Sequence, residues 1–263
     1  MARTQRSAIT FGLVHIPAEL YAATQDNDLH FNQLVKGLNE RIQYKKTCPS
    51  CKKELKNEDI VKGFQYEKDK YVVITDDDFE KIKTDRDRSI QIMLFTGLDD
   101  IDPIYYNKSY YILPEKGGEK AFELLRQAMY EEKKVAVGKT VLGNNETLLV
   151  LIPQKDGILM ETLYYFDEVK EIPKELPKSK PGKEELSMAK QLIDAMDGEF
   201  KPEQYKDEYQ ERLRSMIEKK IEGQEIVAPK QETGSNIIDL MDALKASLDK
   251  GGNKKQGRKA AGK

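Results

Sequence analysis

The stretch VAVGKTVLGNNETLLVLIPQKDGILMETLYYF, residues 135–166, decides the fold. Three runs rich in β-branched and large apolar residues, 135–142, 147–152 and 158–166, are separated by turn residues. Leu142-Gly143-Asn144-Asn145-Glu146 joins the first two and Asp156-Gly157 the last two; Gly and Asn accept the positive φ of a tight hairpin at little cost. The spacing predicts strands joined by hairpins.

The same signature recurs towards the N-terminus. Ile9, Phe11 and Leu13 alternate with Thr10 and Gly12, which predicts a half-buried strand ended by Pro17. Further strands are expected at residues 41–46, 61–66, 71–75, 89–95 and 110–113. A short helix is expected after Thr75-Asp76, with Asp76-Asp77-Asp78 capping it, because anions suit a helix N-terminus. A longer helix is expected over 118–132, with Ala121, Leu124, Leu125, Ala128 and Met129 on one face. Many short strands with few helices predict a mainly β fold, an antiparallel β-barrel.

After the barrel the composition changes. Residues 171–182 read Glu-Ile-Pro-Lys-Glu-Leu-Pro-Lys-Ser-Lys-Pro-Gly, an extended and solvated linker. Residues 183–227 read as a helical region. Leu186, Ala189, Ile193 and Met196 form one stripe; a second helix starts at Pro202 and closes at Gly223, with Tyr205, Tyr209, Leu213, Met216 and Ile217 on one face. Residues 228–263 read as a second linker, a short amphipathic helix over 237–248, and a disordered basic tail.

Net charge is −2 over 263 residues, with 34% charged, so the chain is no uniformly basic coat protein. Charge position matters more than its sum. Lys36, Arg41, Lys45, Lys46, Lys52, Lys53, Lys56 and Lys62 outnumber the acids among them. The tail carries Lys254, Lys255, Arg258 and Lys259 with no acid nearby. Residues 41–46 interleave cations with β-formers. That is the pattern of a lysine-protected edge strand, or of an arm whose cations meet phosphates; about ten extended residues reach about 33 Å.

Motifs of catalysis do not assemble. Val137-Gly138-Lys139-Thr140 looks like the end of a phosphate-binding loop, but Lys133 stands where the first glycine belongs, and the motif lies in a strand. With two histidines and no hydrolase, zinc-protease or dinucleotide motif, an enzyme is not expected. Cys48-Pro49-Ser50-Cys51 is either half a zinc site, completed from elsewhere or by a second subunit, or a tight turn. No apolar run approaches the roughly 18 residues of a membrane span. The polar Met1–Arg6 stretch reads as no signal peptide, so the cytoplasm is the expected compartment, in association with the nucleoid.

Longer stretches resemble a known family. Residues 7–17 (SAITFGLVHIP) followed by Leu20-Tyr21, residues 58–66 (EDIVKGFQY) and residues 71–78 (YVVITDDD) resemble bacterial Ku proteins of non-homologous end joining. So do residues 185–193 (ELSMAKQLI), 200–209 (FKPEQYKDEY) and 239–248 (DLMDALKASL), with the lysine-rich tail. The resemblance covers nearly the whole chain.

It implies a β-barrel core over residues 1–170 with an extended β-bridge arm at about 39–98. It further implies a homodimer whose bridges form a ring on double-stranded DNA ends, touching the backbone without reading sequence. DNA-binding side chains would be Lys36, Arg41, Lys45, Lys46, Lys52, Lys53, Lys62, Arg86, Arg88 and the four tail cations. The helical region would recruit ligase D through Tyr205, Tyr209, Leu213 and Ile217. No cofactor is implied, apart from the zinc that Cys48 and Cys51 would take. The chain departs from the family in lacking a tryptophan before the first strand. It also carries Gly143-Asn144-Asn145 and Ile152 where relatives often carry basic residues. A protein-binding adaptor touching DNA only through its tail is the alternative.

Overall fold

The computed structural model describes residues 3–82, 89–143, 145–173 and 180–224. The chain divides into two compact units, Met1–Ile172 and Pro173–Lys263. Among the described residues, no helix is long and apolar enough to cross a membrane.

In the first unit β1 (Arg3–Phe11) turns through Gly12-Leu13 into β2 (Val14–Ala22). Gly12 takes φ 56° at the hairpin's first central position, while Phe11 pairs with Val14. The expected single strand ending at Pro17 is therefore a hairpin. Pro17 lies inside β2, opposite Ala8, and its carbonyl accepts the Glu115 N–H at 2.9 Å. Proline is tolerated there because β2 begins its pairing with the next barrel strand only at Ala18.

The chain then leaves the barrel, forming β3 (Lys62–Glu67), β4 (Lys70–Ile74) and α1 (Asp76–Ile82) before returning as β5 (Ile90–Thr96). β6 (Tyr106–Pro114), α2 (Glu119–Glu131), β7 (Val135–Leu142), β8 (Asn145–Gln154) and β9 (Gly157–Leu163) complete the unit. The closed barrel runs β1-β2-β6-β9-β8-β7-β5, and β3 with β4 makes a separate two-stranded ribbon. The region 39–98, expected to be arm, thus ends in a barrel strand, since β5 pairs with β7 and β1.

Seven strands cannot alternate in direction all the way round a closed ring, so one neighbouring pair must run parallel. That pair is β1 with β5, in register at Ile9–Ile90 and Thr10–Gln91. Every other barrel pairing is antiparallel.

The period of two in the strands sets the core. Leu149 and Leu151 of β8 join Ile9, Ile16, Leu20, Ile90, Ile112 and Met160 in the main core, while Val150 between them joins Val135 and Leu163 in a smaller cluster. α2 closes on the main core through Phe122, Leu125 and Met129. Leu124, expected on that face, is 71% exposed. The buried stripe follows positions 122, 125 and 129, and one step of a helix turns Leu124 about 100° away.

The second unit holds α3 (Lys183–Met196) and α4 (Glu208–Ile221). Pro202 opens a separate 3-10 turn, Pro202–Gln204, rather than the second helix. α4 begins after Asp207, whose carboxylate accepts the Gln210 N–H at 2.9 Å. A capping aspartate outweighs a proline as a start signal here, because it satisfies one of the free N–H groups of the first turn.

Candidate nucleic-acid interface

Once the chain leaves β2 it buries nothing over a long stretch: none of residues 24–82 is buried. This arm is built from turns. Gly37 (φ 89°) and Asn39 (φ 55°) bend the chain between Leu34 and Arg41, which form an isolated bridge; the Val35 N–H reaches the Glu40 carbonyl at 2.9 Å. A second bridge, Thr47–Glu54, carries the cysteine knuckle at its end. There the Cys48 N–H donates to the Lys53 carbonyl (3.0 Å), the Lys52 N–H returns to the Cys48 carbonyl (2.8 Å), and Lys52 takes φ 57°.

The strand expected over 41–46 is therefore absent as a ladder; only bridges at Arg41 and Thr47 remain. A strand needs one neighbour that supplies hydrogen bonds along its whole length; here Ile42 bonds to Gln33 at one end and Lys46 to Leu55 at the other, so two different segments each meet one end and no ladder runs through. The ribbon β3–β4 follows, with Phe64 opposite Val72 and Gln65 opposite Tyr71. Thr75 then starts α1. Its hydroxyl accepts the Asp78 N–H (3.3 Å) while its own N–H donates to the Asp78 carboxylate (2.9 Å), a reciprocal cap. The Thr75 N–H, and then the Thr75 hydroxyl donating to the same oxygen at 2.7 Å, hold the Asp78 carboxyl below the ordinary carboxylate range.

The expected cations that fall on described residues, Lys36, Arg41, Lys45, Lys46, Lys52, Lys53 and Lys62, are exposed. Lys45 pairs with Glu54 at 2.9 Å, and Lys46 donates to the Asn57 side chain at 3.0 Å. Lys62 pairs with Asp76 at 2.9 Å and lies 5.0 Å over the Phe79 ring. Lys36, Arg41, Lys52 and Lys53 have no acidic partner among the described residues. Exposed ion pairs are worth about 0–1 kcal/mol, so the pairing of Lys45 and Lys62 leaves both able to exchange their carboxylate for a phosphate. Arg86, Arg88, Lys254, Lys255, Arg258 and Lys259, and the helix expected over 237–248, lie outside the described residues.

The arm also carries apolar side chains that the charge pattern did not single out. Phe31, Leu34, Phe64, Tyr66, Tyr71 and Val72 are between 48% and 68% exposed. The signal was present in the alternation of the ribbon strands, but in a sequence it reads the same whether the apolar face meets the chain's own core or another molecule.

Cys48 is half-buried and Cys51 exposed, both as free thiols. Hydrogen bonds from the Cys51 and Ser50 amides and the Cys51 thiol hold the Cys48 thiol below its ordinary pKa. Among the described residues no group of three or more metal-binding side chains gathers there or elsewhere. On the barrel, Lys139 of β7 pairs with Glu146 of β8 at 2.9 Å, and the Tyr165 hydroxyl donates to the same carboxylate oxygen at 3.1 Å.

In the second unit Tyr205 lies before α4 and stacks on Phe200 at 5.3 Å. It therefore does not share a helical stripe with Tyr209. Tyr205 and Tyr209 are 70% and 65% exposed, whereas Leu213 and Ile217 are half-buried.

Comparison with known proteins places these features in a family context. A family model described as the Ku70/Ku80 beta-barrel domain matches residues 10–188. The chain is 56% identical over 247 residues to the non-homologous end joining protein Ku of Lachnoclostridium phytofermentans, covering 94% of this chain and 96% of that one. It is 42% identical over 253 residues to the Archaeoglobus fulgidus protein of the same name, covering 95% and 99%. With the Bacillus subtilis protein the identity is 37% over 251 residues, covering 93% and 81%.

Proposed function

We propose, from the premise that the chain belongs to the Ku family, that it serves non-homologous end joining as a homodimeric ring. The ring threads onto double-stranded DNA ends and brings ligase D to them, without catalysis of its own, on the DNA of the cytoplasm. The observation that carries this reading is the arm. An excursion longer than fifty residues that buries no side chain, yet displays Phe64, Tyr66, Tyr71 and Val72, leaves apolar surface for a second molecule to cover. A second copy is the economical occupant, because one patch can meet its own image across a two-fold axis.

The charges support the same reading. Lys36, Arg41, Lys52 and Lys53 stand exposed on loops, where they can meet phosphates. Phosphate contacts supply affinity and register but carry no sequence information. Among the described residues, the arm contains no long helix to enter a major groove. A protein of this kind recognises a break by topology: a closed ring is entered from an end.

The test compares linear duplex, the same duplex covalently closed into a circle, and linear duplex whose ends are blocked after loading. Binding is expected on the linear form, exclusion from the circle, and trapping once the ends are blocked. Equal affinity for circle and linear duplex would overturn the ring and favour an adaptor that touches DNA only through its tail.

A further inference from the structure

Two thiols stand three residues apart on a turn that faces water, and neither is joined to anything. The Lys52 N–H bonds back to the Cys48 carbonyl at 2.8 Å, so the chain reverses fully between the cysteines. A tight turn keeps its first and fourth Cα atoms within about 7 Å, and disulfides span Cα separations of about 4.4–6.8 Å. The Cys48 N–H donates to the Lys53 carbonyl at 3.0 Å and Thr47 bridges Glu54, so the two cysteines sit at the tip of one short reversal of the chain. No third metal-binding side chain joins them among the described residues, and the knuckle's ends are held by hydrogen bonds that closure would leave in place.

We propose that Cys48 and Cys51 are a modification site: a dithiol that a hydroperoxide closes to an intramolecular disulfide and a thiol reductant reopens. The sulfur of Cys48 attacks the outer peroxide oxygen, the O–O bond breaks, and the alkoxide leaves as alcohol (water, for hydrogen peroxide) after taking up the thiol proton. Cys48 is then a sulfenic acid. Cys51 attacks that sulfur, a new S–S bond forms, and the S–O bond breaks. The departing hydroxide takes the Cys51 proton and leaves as water. Two electrons pass from the two sulfurs to the peroxide. Exposed thiols with a resolving partner stop at the disulfide, whereas isolated ones run on to sulfinic acid. The site does not depend on the ring reading.

The test treats the full chain with one equivalent of hydrogen peroxide. Titratable thiols should fall from two to none, peptide mapping should show Cys48 linked to Cys51 with two hydrogens lost, and the product should run as a single chain on a non-reducing gel. Dithiothreitol should restore both thiols. Cys51→Ser should stall at a sulfenic acid that a 1,3-dione traps, and Cys48→Ser should form no disulfide within the chain. Cross-linked pairs of chains as the main product would overturn the proposal. So would passage of the native chain to sulfinic acid, or protection of both thiols by co-purifying zinc.

Discussion

A Cβ added to Gly138 would stand 2.4 Å from the Gln91 carbonyl oxygen and 3.1 Å from its carbon, both backbone atoms of β5. That strand is already bulged between Ile92 and Leu94 where it passes β7, and it is held on its other edge by β1. It has little room to retreat. Gly138→Ala should therefore cost about 1–3 kcal/mol, read as a lower denaturant midpoint; an unchanged midpoint would show that β5 gives way. The glycine that mimics a phosphate loop in the sequence serves strand packing. A second residue can be read by pH. Burial, then the Glu146 carboxylate beside its hydroxyl, pushes Tyr165 up to about 12. A raised folded pKa means its stabilisation is whole below the ordinary tyrosine value of 10.0 and is lost as pH climbs through about 12. The phenolate absorbance of the native chain minus that of Tyr165→Phe should show this late step. A difference spectrum that titrates near 10 would refute it.

At the scale of elements, the arm behaves as a set of cations. If it meets the DNA backbone, log K should fall linearly with log salt, by about 0.9 for each phosphate neutralised. Replacing Lys45 and Lys46 together with glutamate should weaken binding to every sequence alike and flatten that slope. An unchanged slope would show that these lysines only solvate the arm beside Glu54 and Asn57. Segment 41–46 also explains why propensity misled: Ile42 and Tyr44 favour extended backbone, but among the described residues no neighbouring strand completes a ladder there. In the barrel the same residue types do pair, and β7 matches its expected bounds to the residue.

For the whole molecule, the division after Ile172 separates a unit with a deep core from one whose described helices, α3 and α4, bury no residue. Exposed aromatics such as Phe200, Tyr205 and Tyr209 suit a partner, since aromatic rings bury much area at little rotamer cost. Truncation after Pro181 should leave a dimer that still loads on DNA ends but no longer stimulates its ligase. A chain ending at Asp249 should keep the stimulation and lose some DNA affinity. Stimulation persisting in the shorter chain would move the docking surface to the barrel.

Local order alone determined most of the barrel strands, the α2 span and the hairpin turns at 142–146 and 156–157, because alternation, turn residues and helical stripes act over a few neighbours. The cationic and cysteine-bearing segments were legible for the same reason. Tertiary structure decided what depends on distant neighbours. It made the Ser7–Pro17 stretch a hairpin, denied residues 41–46 a ladder, turned Phe122 inward and Leu124 outward, and moved the start of α4 from Pro202 to Asp207. It also set the parallel β1–β5 closure, which no residue encodes: seven strands in a ring leave one pair with the same direction.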